Sequence, residues 1–226
     1  MSLPRPVHAV VFDMDGLLVD TETISHEVMT AAARAMGHDL PAAVFRRIVG
    51  LNFAATGAIL AEHYGADFDV DAFRADSTRR YQEALALGVA LKTGVVELLD
   101  YLDAARIRRA VATSSPHHDV DRNLGQHGLR HRFDTVAARG DYARGKPHPD
   151  PFLAAATALG VEPAHCLALE DSHNGVRAAH AAGMMTIMVP DLLEADGEMH
   201  ELCVRVVETL HEIPVLIAAA NAEEVA

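Results

Sequence analysis

Val10-Val11-Phe12-Asp13-Met14-Asp15-Gly16-Leu17-Leu18 decides how the rest of the chain reads. An apolar, valine-rich run that begins at Val7 stops at two carboxylates one residue apart, followed by glycine. A run this short and β-branched reads as a buried parallel strand and not as a helix. In an extended chain residues i and i+2 face the same side. Asp13 and Asp15 therefore point into one space at the carboxyl end of the strand, where open α/β sheets hold their ligands. Two anions so close repel each other unless a cation or a shared proton lies between them. The pair implies a metal, a perturbed acid, or both.

After Gly16 the pattern changes to a helical one. Asp20 or Thr21 is placed to cap a helix whose apolar face is Ile24, Val28, Ala32, Ala35 and Met36, closed by Gly37. Helical periodicity continues over 42–48, 53–64 and 70–87, with turns at Gly50 and Gly65 and no strand signal. Strand and helix then alternate. A helix over 95–105 leads to a strand at 110–113, and Ser115 and Pro116 suit the N-cap and first position of a helix ending near Gly128. A strand follows near 135–138, a helix over 150–159, a strand at 166–169, a helix up to Ala182 with Gly183 after it, and a strand at 185–189. A last strand is expected at 203–206 and a helix after Glu208. Such alternation means right-handed βαβ units. The expected class is α/β, a doubly wound parallel-sheet, Rossmann-like core of residues 1–18 and 90–226. An all-helical cap domain, residues 19–89, is inserted with hinges at 16–21 and 88–94.

The 226 residues are half apolar and 23% charged, enough to bury a substantial core. A formal charge of −13 argues against nucleic acid or an anionic membrane surface as partner. Cys166 and Cys203 stand in apolar surroundings at no metal-ligand spacing, which predicts buried free thiols. The first six residues lack the apolar run of a signal peptide, and no apolar segment approaches the ~20 residues needed to span a bilayer. The expectation is a soluble cytoplasmic protein, monomeric or a small homo-oligomer.

Three strand ends carry polar residues: Asp13 and Asp15, then Thr113 and Ser114, then Glu170 and Asp171. In a doubly wound sheet they share one edge. Gly145-Lys146-Pro147 lies in a loop leading into a helix on that side. Carboxylates for a hard cation, hydroxyls beside a helix N-terminus and one lysine together suit Mg²⁺ with a phosphoryl group. The expected partner is a small phosphorylated metabolite. A receiver-like phosphoacceptor module collects similar residues, but in a much shorter chain and without a helical insertion after its acidic pair.

With those residues in place, the sequence resembles the haloacid dehalogenase superfamily, in the branch with a helical cap after the first motif. The motifs are Asp13-Met14-Asp15-Gly16, Thr113 or Ser114 at a strand end, Lys146 within Gly-Lys-Pro-His-Pro-Asp-Pro-Phe, and Glu170-Asp171-Ser172 followed by Asn174-Gly175-Val176. The resemblance covers essentially the whole chain. It implies that Asp13 is the nucleophile and forms an aspartyl-phosphate, and that Asp15 is the acid and then the base. It implies Mg²⁺ held by the Asp13 carboxylate, the Asp15 main-chain carbonyl and Asp171, with Glu170 direct or through water. Thr113, Ser114 and Lys146 would bind phosphate. The second acid, Asp15, points to phosphate chemistry and away from carbon–halogen cleavage.

Within the branch the sequence resembles phosphatases of sugar and nucleoside monophosphates, including pseudouridine 5′-phosphatase and 2-deoxyglucose-6-phosphatase, and also beta-phosphoglucomutase. The mutase pattern expects a histidine near Ser25 and His26 and an arginine after Gly50, where Asn52 and Phe53 stand. A phosphatase acting on small phosphomonoesters is therefore expected, with a sugar phosphomutase as the alternative. Asn52 and Phe53 are candidate specificity residues. His148 and Arg46, Arg47, Arg79 and Arg80 are read as solvent-facing, and Asn174 as the cap of the helix after the fourth motif. Lys92-Thr93-Gly94 stands where the family has Pro-Gly, which is expected to loosen that hinge.

Overall fold

The computed structural model describes residues 3–49, 51 and 53–222, without the side chain of Phe53. The turn at Gly50 and the candidate specificity positions Asn52 and Phe53 (side chain) thus lie outside the described residues. The chain divides into two compact units, Met1–Val19 with Leu91–Ala226, and Asp20–Ala90.

The first unit is built on a six-stranded sheet, all of whose strands pair in parallel. In chain order they are β1 (Ala9–Phe12), β2 (Arg108–Ala112), β3 (Thr135–Ala137), β4 (Cys166–Glu170), β5 (Met185–Met188) and β6 (Arg205–Val206). The spatial order is β3-β2-β1-β4-β5-β6, so the chain winds outward from β1 in both directions and the switch point lies between β1 and β4. The helices are α1 (Thr21–Ala35), α2 (Ala42–Ile48), α3 (Phe53–Tyr64), α4 (Val70–Leu87), α5 (Val95–Ala105), α6 (His117–Gly125), α7 (Asp150–Leu159), α8 (His173–Ala181), α9 (Gly197–Leu202) and α10 (Ile213–Ala222).

Strand β1 is apolar throughout because it is covered on both faces; Ala9, Val10, Val11 and Phe12 have no exposed surface. On one face Ala9, Val11, Ala110, Ala112, Cys166 and Ala168 form a shallow floor. Small side chains there let Phe152, Ala155 and Leu159 of α7 and Ala178 and Ala179 of α8 pack close to the sheet. Alternation turns Phe12 to the other face, where it meets Phe133 edge-on at 5.7 Å between ring centroids. Burying that ring contributes about 2–3 kcal/mol. At the end of β1 the chain reverses tightly. Gly16 adopts φ 83°, and the amides of Leu18 and Val19 return to the Met14 carbonyl at 2.9 and 3.1 Å. A side chain at Gly16 would disfavour that left-handed backbone.

The second unit is helical over its described residues, α1 packing against α4 and α2 against α3. Asp69 caps α4 by accepting from the Ala72 amide at 2.9 Å. Tyr64, Phe68 and Phe73 pack ring to ring in tilted pairs, 4.6 and 5.7 Å between centroids. The unit contains a cavity of about 350 Å³ between Ser25 and Met29 on α1, Phe45 and Ile48 on α2, and Thr78 and Tyr81 on α4. Arg47, Arg79 and Arg80 are paired with Glu62, Asp76 and Glu83 in surface ion pairs.

Local expectations differ from the structure in a few places. Ser115 does not cap α6; Pro116 takes the N-cap position and the Ser115 hydroxyl is turned elsewhere. Helix α6 ends at Gly125, ahead of Gly128. Ser172, not Asn174, caps α8, accepting from the Gly175 amide at 3.1 Å, while Asn174 accepts from Arg177. Helix α9 was not legible because its six residues are too few to establish a period. The Lys92 ammonium pairs with Asp191 at 2.8 Å and its amide donates to the Leu18 carbonyl at 3.0 Å. Among the described residues no helix is long and apolar enough to cross a membrane.

Candidate active site

The register of the central strands brings the chemistry together. Phe12 is level with Val111 on β2 and Leu169 on β4, so the residues that follow emerge at one edge. The Asp13 amide still donates to the Leu169 carbonyl at 3.0 Å, which carries the ladder one step further and fixes the direction of its carboxylate. From the loop after β3, Lys146 reaches in. Its ammonium lies 2.5 Å from both Asp13 Oδ1 and Glu170 Oε1, and 5.1 Å from the centroid of the Phe152 ring. The aromatic face helps hold a buried cation.

Glu170 has no exposed surface. Its second oxygen, Oε2, accepts from the amides of Asp171 and Ser172 and from the Ser172 hydroxyl, each at 3.1 Å. A buried carboxylate this fully engaged acts as a post: one oxygen organises the turn into α8 and the other holds Lys146. The helix approaches the post so closely that only glycine fits at 175, where a Cβ would fall inside the Glu170 carboxylate. Asp13, Glu170 and Asp171 each place a carboxylate oxygen within 4.8 Å of the others, all three buried.

Burial raises the Asp13 carboxyl; the Lys146 ammonium opposes this, Glu170 and Asp15 add to it, and it stands at about 8. Burial lowers Lys146, but Asp13 and Glu170 outweigh it and hold the ammonium above the usual lysine range. Three converging carboxylates with a single lysine leave excess negative charge in a dry site. That donor set fits a hard divalent cation with oxygen ligands. Asp13 and Asp171 would hold it, with the Asp15 main-chain carbonyl as the family resemblance implies and Glu170 completing the acidic group.

Asp15 is set apart from this cluster. Its Oδ2 accepts from the Ser115 hydroxyl at 2.7 Å and, more distantly, from Thr113 at 3.4 Å. Thr113 is fully buried at the end of β2, and its hydroxyl also accepts from the Ser115 amide at 3.0 Å. Ser114 is exposed, as is His148. Sequence reading gave Ser115 only a helix-capping role and placed Gly175 only within the fourth motif. Ser115 carries the same hydroxyl as its neighbour two residues away, a usable signal; nothing local marks Gly175. Removing the Ser115 hydroxyl takes from the Asp15 carboxylate its 2.7 Å hydrogen bond. Ser115→Ala is expected to lower kcat about tenfold, the scale of one hydrogen bond to a charged group. Stopped-flow or steady-state phosphate release measures it, and an unchanged kcat would show that Asp15 needs no such restraint.

Residues 10–189 match the family model for haloacid dehalogenase-like hydrolases. A probable pseudouridine-5′-phosphatase from Drosophila melanogaster is 35% identical over 193 residues, covering 83% of each chain. The plasmid-borne CbbY protein of Cupriavidus necator is 34% identical over 207 residues, covering 84% of this chain and 80% of that one. Among solved structures, a hydrolase of this family from Deinococcus radiodurans, determined with bound phosphate and sodium, superposes with a TM-score of 0.81 at 30% identity, covering 95% of this chain and 96% of that one. The order of motifs along the chain, the Rossmann-like sheet and a family match spanning both units lead to one assignment: the protein belongs to the haloacid dehalogenase-like hydrolases.

Proposed function

We propose that the protein is a Mg²⁺-dependent phosphatase that hydrolyses small phosphomonoesters through an aspartyl-phosphate on Asp13. The observation that carries this reading is the division of labour between the two acids. Asp13 lies against Lys146 in the buried acidic cluster, while Asp15, two residues on, is held by Ser115 and Thr113. One acid is placed as a nucleophile and the other as a proton carrier.

In the first step an Asp13 oxygen forms a bond to phosphorus as the ester P–O bond breaks, and Asp15 gives its proton to the leaving oxygen. In the second step water attacks phosphorus, Asp15 takes a proton from that water, the Asp13–phosphorus bond breaks and phosphate leaves. Lys146 offsets the repulsion between the Asp13 carboxylate and an anionic ester, and Glu170 keeps the lysine in place. A bound divalent cation supplies further charge neutralisation to the carboxylates and the phosphoryl oxygens. The names of the relatives support a small organic phosphate as substrate. The sequence after Gly50, where Asn52 and Phe53 stand in place of an arginine, supports hydrolysis over a mutase reaction. A second phosphate would call for a cationic partner there. Two free cysteines are in keeping with a reducing, cytoplasmic setting.

The test is phosphate release across a panel of sugar phosphates, nucleotides, pseudouridine 5′-phosphate and phosphoglycolate. Turnover is expected with at least one of them and is expected to stop after dialysis against EDTA and return with Mg²⁺. Full turnover in excess EDTA would overturn the metal requirement. With a hexose 1-phosphate, free phosphate is the expected product, without need of a bisphosphate activator. Conversion to the 6-phosphate faster than phosphate release would replace the phosphatase reading by the mutase one.

A further inference from the structure

Beyond β2 the polypeptide leaves the ladder, yet the backbone at Thr113 and Ser114 is still held. The Thr113 amide donates to the Ala137 carbonyl at 3.0 Å, so its N–H points toward β3. In an extended strand the N–H and C=O of one residue point to the same side, and those of the next residue to the other. The Thr113 carbonyl is therefore also on the β3 side. Strand β3 ends at Ala137 and offers no further ladder donor there. The Tyr142 hydroxyl takes the place of one, donating to the Thr113 carbonyl at 2.8 Å.

The planar trans peptide transmits this restraint. Its C=O and N–H are antiparallel, so fixing the Thr113 carbonyl toward Tyr142 turns the Ser114 N–H the opposite way. That way lies β1, on the far side of β2 from β3, with Asp13 at its end. Among the described residues the Ser114 amide donates to no backbone carbonyl.

Tyr142 is itself well anchored. The Asp141 carboxylate before it accepts from the Ala138 amide at 2.9 Å and from His117 at 2.9 Å. The Arg139 amide donates to the Ser115 carbonyl at 3.0 Å, which docks the same loop on the start of α6. On its other side the ring passes beside Gly145, 4.0 Å from where a Cβ would stand, immediately before Lys146. Burial keeps the phenol's pKa above its ordinary value, which favours its protonated, donating form.

We propose that Tyr142 is a positioning residue: it sets the Thr113–Ser114 peptide plane so that the Ser114 N–H faces the phosphoryl group, and it ties that donor to the segment carrying Lys146. The inference rests on the phosphatase reading. A backbone donor aimed in advance needs no reorganisation when the anion arrives, which is the property that makes such groups effective.

The experiment compares wild type with Tyr142→Phe, which keeps the ring and removes only the hydroxyl. Inorganic phosphate is titrated calorimetrically in the presence of Mg²⁺, Mg²⁺ is titrated alone, and kcat and KM are measured with the best ester. The expected result is phosphate affinity and kcat/KM both lowered about three- to tenfold, the range of one hydrogen bond, with Mg²⁺ affinity unchanged. Equal phosphate affinity in the two proteins would overturn the inference and leave the phosphatase reading standing. Parallel losses of phosphate and Mg²⁺ affinity would also overturn it, because they would mark a general loosening of the fold. A wild type that neither binds phosphate nor releases it from any ester would remove the phosphatase reading and this inference together.

Discussion

Asp13→Asn is expected to abolish turnover, by at least about 10⁴-fold, the scale seen when a covalent nucleophile is removed, and to raise the melting temperature of the metal-free protein. The first effect follows from the role proposed for this side chain, since an amide does not form the acyl-phosphate. The second follows from where the carboxylate sits. Burial raises the group, Lys146 opposes, Glu170 and Asp15 reinforce, and its pKa stands at about 8 against an ordinary 3.8. Between those values the folded protein keeps a proton that the unfolded chain has released. Stability of the metal-free wild type therefore falls as pH rises through that window. Asparagine has no proton to lose, so the advantage of the variant should grow from pH 5 to pH 8. Calorimetric or fluorescence melting at several pH values in EDTA measures this. A pH-independent difference would mean that Asp13 ionises beside Lys146 without strain, and retained turnover would mean that the nucleophile lies elsewhere.

Gly175→Ala should be the most damaging single methyl group in the core unit. Its Cβ would occupy the space of the Glu170 carboxylate, which has no exposed surface and nowhere to move without breaking its bonds to Lys146, Asp171 and Ser172. Overpacking of about 1–3 kcal/mol adds to the loss of buried charge-assisted hydrogen bonds. A destabilisation of roughly 3–5 kcal/mol is expected for breaking a buried ion pair of this kind, with kcat reduced more than about 100-fold in whatever protein folds. Denaturant unfolding gives the first quantity and phosphate release the second. Glu170→Ala combined with Gly175→Ala provides the control: if the clash is the cause, the double variant folds more stably than Gly175→Ala alone. Near-wild-type stability of the single variant would show that α8 can shift away from the post.

The alternation of strands and helices after residue 94 and the helical run before it were legible because each element declares its own period. The short valine-rich run Ala9–Phe12 reads as a strand covered on both sides, and the long segments at 70–87 and 95–105 read as helices by length and pattern. The chemical character of the edge was legible as well. Carboxylates at the ends of two strands, hydroxyls at the end of a third and Lys146 in a loop between a strand and a helix together mark that edge. Local composition therefore determined the order of the elements and which residue types end each strand.

What the tertiary structure alone decided is how those residues engage one another. Ser115 reads as a helix cap, yet its hydroxyl is drawn to Asp15, a residue a hundred positions earlier, because β2 and β1 end side by side. Glu170 reads as a metal ligand, direct or through water; the fold keeps it in one acidic group with Asp13 and Asp171 and also gives its oxygens two amides, a hydroxyl and Lys146 as partners. Gly175 is one glycine in a helix until a carboxylate lies where its Cβ would be, and Tyr142 is one loop aromatic until a neighbouring strand leaves a carbonyl to satisfy. Periodicity reports only whether a side chain faces in or out. Which partner completes a buried donor or acceptor depends on distances between segments remote in sequence, and those exist only once the sheet has closed around them.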